Sequence, residues 1–424
     1  RVGARGSPTI CGRTTGPARR RSSAAAAPVT AMRVLHVLHS SWPRRVGYSL
    51  RTEAIVAHQR RRGIEVAAVT MPQRDGGDPP VEVFAGVAYH RVPAPRRALP
   101  PGLREARAMA ALYARLRAVA AAVRPDVVHA HSPVLVGAPA LCVAAERRVP
   151  LVYEVRDLWE NASVDRGKFA ADSLPYRAAR ALETAVLRRA AAAVTICEGL
   201  RRELAPRVGD PRRLFVVPNG VEPEAFTPRP RSDADVARFG LAGKEVVGYL
   251  GTFQPYEGLD VLIRAMPALR AIRPAAHLLI TGGGGVEAEL RALVQELGLA
   301  AHVTFTGPVP HEQVPALLAL AELCVYPRRS TRTTRTTTPL KPLEAMAMGK
   351  AVIVSDVPAM AELVDDGVTG FVARAGDPEH LARTIAGVLA APGRAREVGA
   401  AARAAVTAER AWSRLVARYD EVYA

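Results

Sequence analysis

The sequence predicts an α/β protein made of two doubly wound parallel sheets in series. Short apolar strands alternate with helices from Met32 onward, the signature of parallel βαβ units. The alternation stops after Gly220 at a proline- and charge-rich stretch and begins again at Val246. With 424 residues, the chain is long enough for each half to bury its own core.

Taken in order, Arg33–Leu38 reads as a strand, followed by a loop through Gly47 and a helix from about Leu50 to Arg61. Strands follow near Glu65–Thr70 and Val87–Val92, then a long Ala/Arg/Leu helix from Leu103 to Val123 and a strand over Val127–His131. The segment Leu151–Asp157, a helix around Arg177–Arg189, and the runs Ala193–Ile196 and Leu214–Gly220 complete a first domain over 32–220. Pro223, Pro228 and Pro230 mark a linker over 221–243. A second domain over 244–405 has strands at Val246–Gly251, His277–Thr281, Val303–Phe305, Leu323–Tyr326 and Ala351–Val354. A closing helix, Glu409–Tyr423, within a segment 406–424, is expected to pack back toward the first domain. Residues 1–31 hold six arginines and no acid, and are read as a disordered or non-native extension ahead of Met32.

Composition narrows the function. The net charge of +18 invites a nucleic-acid reading, but no basic stretch is interleaved with aromatics, so nucleic acid is not expected as a partner. Four well-separated cysteines without a CxxC pair fit a reducing cytosol rather than a disulfide framework or zinc site. No apolar run reaches the roughly 20 residues of a membrane span, so a membrane contact would be peripheral, on the cytoplasmic side. The helix Leu103–Arg124 is one candidate for docking on anionic lipid; the alternative is that its apolar stripe covers the sheet.

Several residues could carry chemistry. In Lys341-Pro342-Leu343-Glu344, Pro342 and the closing Gly349 bound a short helix ahead of a buried strand. Glu344 either complements the helix dipole or accepts hydrogen bonds from ligand hydroxyls. The Gly47 loop lies between a strand and a helix, where backbone N–H groups face an anion, though Gly47 also suits a plain turn. Gly282–Gly285 is a phosphate-cradle candidate or a flexible turn. His129 and His131 share a strand face at a carboxyl end, where open α/β sheets bind ligands. With no third ligand evident nearby, a metal site is not expected.

The motifs Val246–Phe253 with Glu257-Gly258-Leu259-Asp260, Pro218-Asn219-Gly220-Val221, Thr304–Pro310 and Leu343–Gly349, in this order and spacing, resemble the retaining, nucleotide-sugar-dependent glycosyltransferases of family 4. The segments Val34–Leu38, Tyr153–Trp159, Thr195–Leu200 and Thr338–Glu344 resemble more narrowly the bacterial members associated with exosortase and exopolysaccharide clusters. The resemblance implies a GT-B architecture, two Rossmann-like domains facing a cleft, with a nucleotide-sugar donor on the second, a glycan or lipid-linked acceptor on the first, and no metal or other cofactor. It implies that Glu344 holds the donor ribose, that Gly283 and Gly284 lie by the diphosphate and base, and that Val309 frames the base. Gly47 would stand beside the phosphates and His131 by the reacting sugar. Gly251 and Leu343 fall within the donor motifs, and Asp157 within the acceptor-side segment.

Two departures stand out. Thr252 and Glu257 occupy positions where members of the family carry an arginine and a lysine, so Lys341 with Arg328 or Arg329 is expected to clamp the diphosphate instead. The family's first glutamate is missing from Ser330–Thr338, where Thr336 stands eight positions before Glu344. The reading is a hexosyltransferase for a UDP- or GDP-sugar in exopolysaccharide synthesis. A GT-B epimerase and a catalytically degenerate nucleotide-sugar-binding partner of a synthase are its rivals.

Overall fold

A computed structural model describes residues 31–74, 77–94 and 99–424; the expected extension over 1–31 lies outside them but for Ala31. The first sheet has eight strands: β1 Arg33–Leu38, β2 Glu65–Thr70, β3 Val81–Phe84, β4 Val87–Arg91, β5 Val127–His131, β6 Leu151–Val155, β7 Ala192–Thr195 and β8 Leu214–Val216. Their spatial order is β3-β4-β2-β1-β5-β6-β7-β8, parallel except for the β3–β4 hairpin. The second sheet has six: β9 Glu245–Leu250, β10 Ala276–Thr281, β11 Val303–Gly307, β12 Leu323–Tyr326, β13 Ala351–Ser355 and β14 Phe371–Ala373, in the order β11-β10-β9-β12-β13-β14. Each sheet reverses its winding once, between β1 and β5 and between β9 and β12. Such reversals open a crevice at the strands' carboxyl ends.

Local differences from the sequence reading have plain causes. The first helix begins at Gly47 rather than Leu50, because the Ser49 hydroxyl accepts from Val46 N–H at 3.0 Å and secures an earlier start. Strand β3 was not expected; its alternating, half-exposed Val-Glu-Val-Phe pairs with β4 across an Ala85-Gly86 turn. The helix Leu103–Val123 buries Leu112, Leu116 and Val119 in the first domain's core, so its apolar stripe covers the sheet and does not offer itself to lipid. Of its large apolar side chains, Leu103 at its start is largely exposed.

The expected closing helix is broken. Helix Pro392–Glu409 ends, Val221 N–H donates to Arg410 O at 2.9 Å and Trp412 N–H to Val221 O at 3.1 Å, and two short helices follow, Trp412–Ala417 and Tyr419–Tyr423. A continuous helix would satisfy those groups internally; here the chain turns to reach the first domain. Trp412, Leu415, Val416, Tyr419 and Val422 join a core with Val34, Ile55, Val152, Val194 and Val217.

Arg51 fastens this junction. Its guanidinium pairs with Glu154 Oε1 at 3.0 Å and donates to Pro218 O and Val217 O, both at 2.8 Å, while lying over the Trp412 ring. Arg51→Met should destabilise the protein by about 3–5 kcal/mol, the cost of leaving a buried carboxylate short of its partner, and chemical denaturation is the measurement. A loss under about 1 kcal/mol would mean that the pair behaves like a surface contact.

Candidate active site

At the reversal of the second sheet, residues from three loops converge. The Lys341 ammonium, first in the helix Lys341–Ala347, lies 2.9 Å from Glu257 Oε1 and donates to the Tyr249 hydroxyl at 2.9 Å. Glu257 also accepts from Arg328, Nη2 to Oε1 at 2.9 Å and Nε to Oε2 at 3.3 Å. Burial alone would push the Glu257 carboxyl up, but Arg328 and Lys341 outweigh it and hold it at about 2. Burial pulls the Lys341 ammonium below its ordinary value against the attraction of Glu257. Gly251 is glycine for a steric reason: at φ +152° a Cβ would stand 2.3 Å from Lys341 Cε, so a side chain there would evict the lysine stem.

Three residues further along the same helix, Glu344 faces His311, with Oε1 and Nε2 3.0 Å apart. That hydrogen bond raises the His311 pKa. Val309 is half-buried beside it, two residues before His311. The glycine turn packs on the loop after β9: Phe253 N–H donates to Gly283 O at 2.9 Å, and a Cβ on Gly284 would meet Phe253 O at 2.2 Å. Gly284 therefore serves this close approach, and Gly283 stands by Pro308 and Glu287. Gly47, the first residue of its helix, approaches Leu340 next to Lys341. The Leu343 side chain is 1% exposed and belongs to the second domain's core, so only its main chain is available to a ligand.

Across from these, Asp157 follows β6 and lines a cavity of about 90 Å³ with Arg166, Tyr256, Arg328, Thr333 and Thr337. Burial raises its pKa against the pull of Arg166. The threonine run is folded: Thr334 is buried with its hydroxyl donating to Arg329 O at 2.6 Å, and Thr333 N–H donates to Asp165 at 2.9 Å. Cys197 Sγ donates to Thr336 O at 3.0 Å and Asn219 Nδ2 to Thr338 O at 2.7 Å, so this run is stitched to the first domain.

His131 is fully buried, stacked with His36 and His129. His36 on β1 is thus the third histidine that sequence spacing did not supply, and the three rings offer nitrogens within 4.8 Å of one another. His131 Nε2 and His36 Nδ1 are 2.8 Å apart, a hydrogen-bond distance shorter than the separation of two nitrogens that share one ion at about 2.0–2.1 Å each in tetrahedral geometry. Below them, Glu154 accepts from Arg51, from Arg156 Nε at 2.8 Å and from the Tyr419 hydroxyl. Sequence reading passed over Glu154, Arg156, His311 and the two C-terminal tyrosines as individual contributors. An acid inside the apolar strand Leu-Val-Tyr-Glu-Val was the available signal for the first.

Two Rossmann-like domains with facing sheet reversals, one lined by cations and a carboxylate, define the GT-B glycosyltransferase class. The chain matches "Glycosyl transferases group 1" over residues 233–405 and "Glycosyl transferase 4-like domain" over 46–220, and it belongs to this glycosyltransferase family. It is 31% identical to a D-inositol 3-phosphate glycosyltransferase of Mycolicibacterium paratuberculosis, across 84% of this chain and 80% of that protein. It is 34% identical to a GDP-mannose-dependent alpha-(1-6)-phosphatidylinositol monomannoside mannosyltransferase of Mycolicibacterium smegmatis over 48% of this chain, and the match spans 54% of that protein's length. Sucrose-phosphate synthase from Thermosynechococcus elongatus has the same fold, with a TM-score of 0.77 at 22% identity over 92% of this chain and 98% of that one. Anabaena HepE in complex with UDP gives 0.72 at 19% identity, over 92% and 99%.

Behind Asp157, two buried acids stand near one cation that pairs with only one of them. Arg207 donates to Glu160 Oε1 at 2.9 Å, whereas among the described residues Glu183 accepts only from the Tyr153 hydroxyl at 2.8 Å. Burial, reinforced by Glu160, pushes Glu183 up to about 8. An acid whose folded pKa exceeds its unfolded value of 4.5 gives its full stability below pH 4.5 and loses it as pH rises through 8. Glu183→Gln should therefore be more stable than the parent at pH 9 by on the order of 2 kcal/mol, with the gap closing toward pH 5. Denaturant titrations at the two pH values decide it, and a gap independent of pH would contradict the protonated Glu183.

Proposed function

We propose that the protein is a retaining glycosyltransferase that moves a hexose from a GDP- or UDP-sugar to a glycan or lipid-linked acceptor. The observation that carries this reading is Lys341 and Glu344 on one helix, at the sheet reversal where α/β ligands bind. Glu344 has one oxygen on His311, leaving the other for ribose hydroxyls. Lys341 and Arg328, with one carboxylate between two cations, leave an excess positive charge for a diphosphate leaving group, in place of the cations missing at Thr252 and Glu257. No metal enters this proposal. Gly47, Gly251, Gly283, Gly284, Val309 and the Leu343 main chain would line the donor. His131 and Asp157 would shape the acceptor side. The cavity beside Asp157 is smaller than the several hundred Å³ a nucleotide sugar occupies. Donor entry would then part the contacts of Thr333, Thr336 and Thr338 with the first domain.

The names of the relatives direct the acceptor toward inositol or lipid phosphates; the N-terminal and Thr338–Glu344 motifs favour exopolysaccharide assembly as the second reading. For a peripheral membrane contact, the helix Leu174–Arg189 is better suited than Leu103–Val123. Arg177, Arg188 and Arg189 are exposed there without a carboxylate within 4.0 Å among the described residues, beside Leu174 at 80% exposure. No described helix is long and apolar enough to cross a membrane.

Glu344→Ala should raise donor KM by roughly 10- to 100-fold, the worth of one lost charge-assisted hydrogen bond, with kcat less affected. Initial rates with GDP-mannose and UDP-glucose, and the anomeric configuration of the product by NMR, test donor and stereochemistry together. Unchanged kinetics in the variant would remove the ribose assignment, and an inverted product would remove the retaining one.

A further inference from the structure

The hydrogen bonds around His131 have a direction that can be worked out. Arg156 Nη2 lies 2.6 Å from His131 Nδ1, and a guanidinium only donates. His131 is therefore neutral, with its proton on Nε2. Its Nδ1 is also 3.4 Å from Glu154 Oε1, a contact that would ask for a proton on Nδ1. The nearer guanidinium decides, because it has donors and no acceptor to offer. His131 Nε2–H then donates to His36 Nδ1 at 2.8 Å, and His36 Nε2–H to Gln59 Oε1 at 2.8 Å. Gln59 Nε2 donates to the Tyr423 hydroxyl at 2.7 Å, and Tyr423 passes its own proton to His129 Nδ1 at 2.8 Å. His129 keeps a proton on Nε2, facing Glu154 Oε2 at 3.6 Å. Burial keeps all three rings neutral, with His36 lowered to about 3. The ring of donors comes back to the carboxylate held by Arg156, where it began, save for that last 3.6 Å gap, which is longer than a hydrogen bond.

We propose that Tyr423, at the end of the helix Tyr419–Tyr423, is a positioning residue for His131. Its hydroxyl joins the two halves of the ring and holds the Gln59 amide with its oxygen toward His36. Without that hydroxyl the amide can turn its NH2 to His36. His36 then carries its proton on Nδ1, against the Nε2–H of His131, and one of the two must rotate or shift its proton while Arg156 still donates to Nδ1. Tyr419 sits one helical turn away and donates to Glu154, so the C-terminal helix holds both the carboxylate and the imidazoles. The inference rests on His131 acting at the reacting sugar, but the ring can be observed without that assumption.

The test uses the full chain labelled with ¹⁵N-histidine. In the parent, ring-nitrogen shifts should report a single Nε2–H tautomer for His36, His129 and His131 at pH 7. Tyr423→Phe should give mixed tautomers, lower kcat roughly tenfold with donor KM within about twofold, and raise the acid limb of the kcat profile by about one pH unit. Gln59→Met, which opens the ring away from the C-terminus, should reproduce these effects and serves if Tyr423→Phe folds poorly. A lower melting temperature with unchanged tautomers and pH profile would overturn the proposal, leaving Tyr423 a packing residue. Shifted tautomers with unchanged kcat would overturn the positioning role; an equally active His131→Ala would identify the fault as the assignment of His131 itself.

Discussion

The fold hangs on one buried carboxylate. Glu154 is fully excluded from water, where an unpaired charge would be prohibitive, and it stays ionised because Arg51 and Arg156 outweigh its desolvation. Each arginine also donates to main chain, Arg51 to Val217 and Pro218 at the exit of the first domain and Arg156 to the Tyr48 carbonyl at 2.6 Å, while Arg156 gives a further donor to His131 Nδ1. A surface pair would be worth little, whereas removing one partner here strands the others. One carboxylate thereby fixes the first helix, the exit toward the second domain and the returning C-terminal helix relative to β6.

The alternating strands and the break after Gly220 were legible because periodicity and proline reflect local physics. The position of Glu344 and Lys341 at a helix start was legible for the same reason, since Pro342 and Gly349 punctuate that helix. What the sequence hid was long-range. His36 lies 95 residues from His131, and Tyr419 lies 265 residues from Glu154; only parallel pairing of β1 with β5 and the crossing at Arg410–Ala411 bring them together. Burial was also hidden: the Leu103–Val123 helix in isolation fits either a lipid surface or a sheet, and the sheet beneath it settles its orientation. The threonine run lacks the acid expected there, yet hydroxyl-to-backbone bonds give its loop a defined shape.

The two sheet reversals solve a similar charge problem with different outcomes. Each holds one carboxylate between two cations, Glu154 with Arg51 and Arg156 in the first, Glu257 with Arg328 and Lys341 in the second. In the first cluster the side chains are at most 6% exposed, and main-chain carbonyls together with the Thr52 and His131 side chains absorb the surplus donors. That cluster is closed and can only position its neighbours. In the second, Lys341 keeps 18% of its side chain exposed, and its third strong donor has nothing nearer than Thr252 O at 3.5 Å. An ammonium so placed is already desolvated and held in line by Glu257, so an arriving anion meets an oriented donor and reorganises little. The same Glu257 that departs from the family pattern is therefore what turns Lys341 from a flexible surface cation into a fixed one. The surplus charge is neutralised by protein at the first reversal and left available at the second.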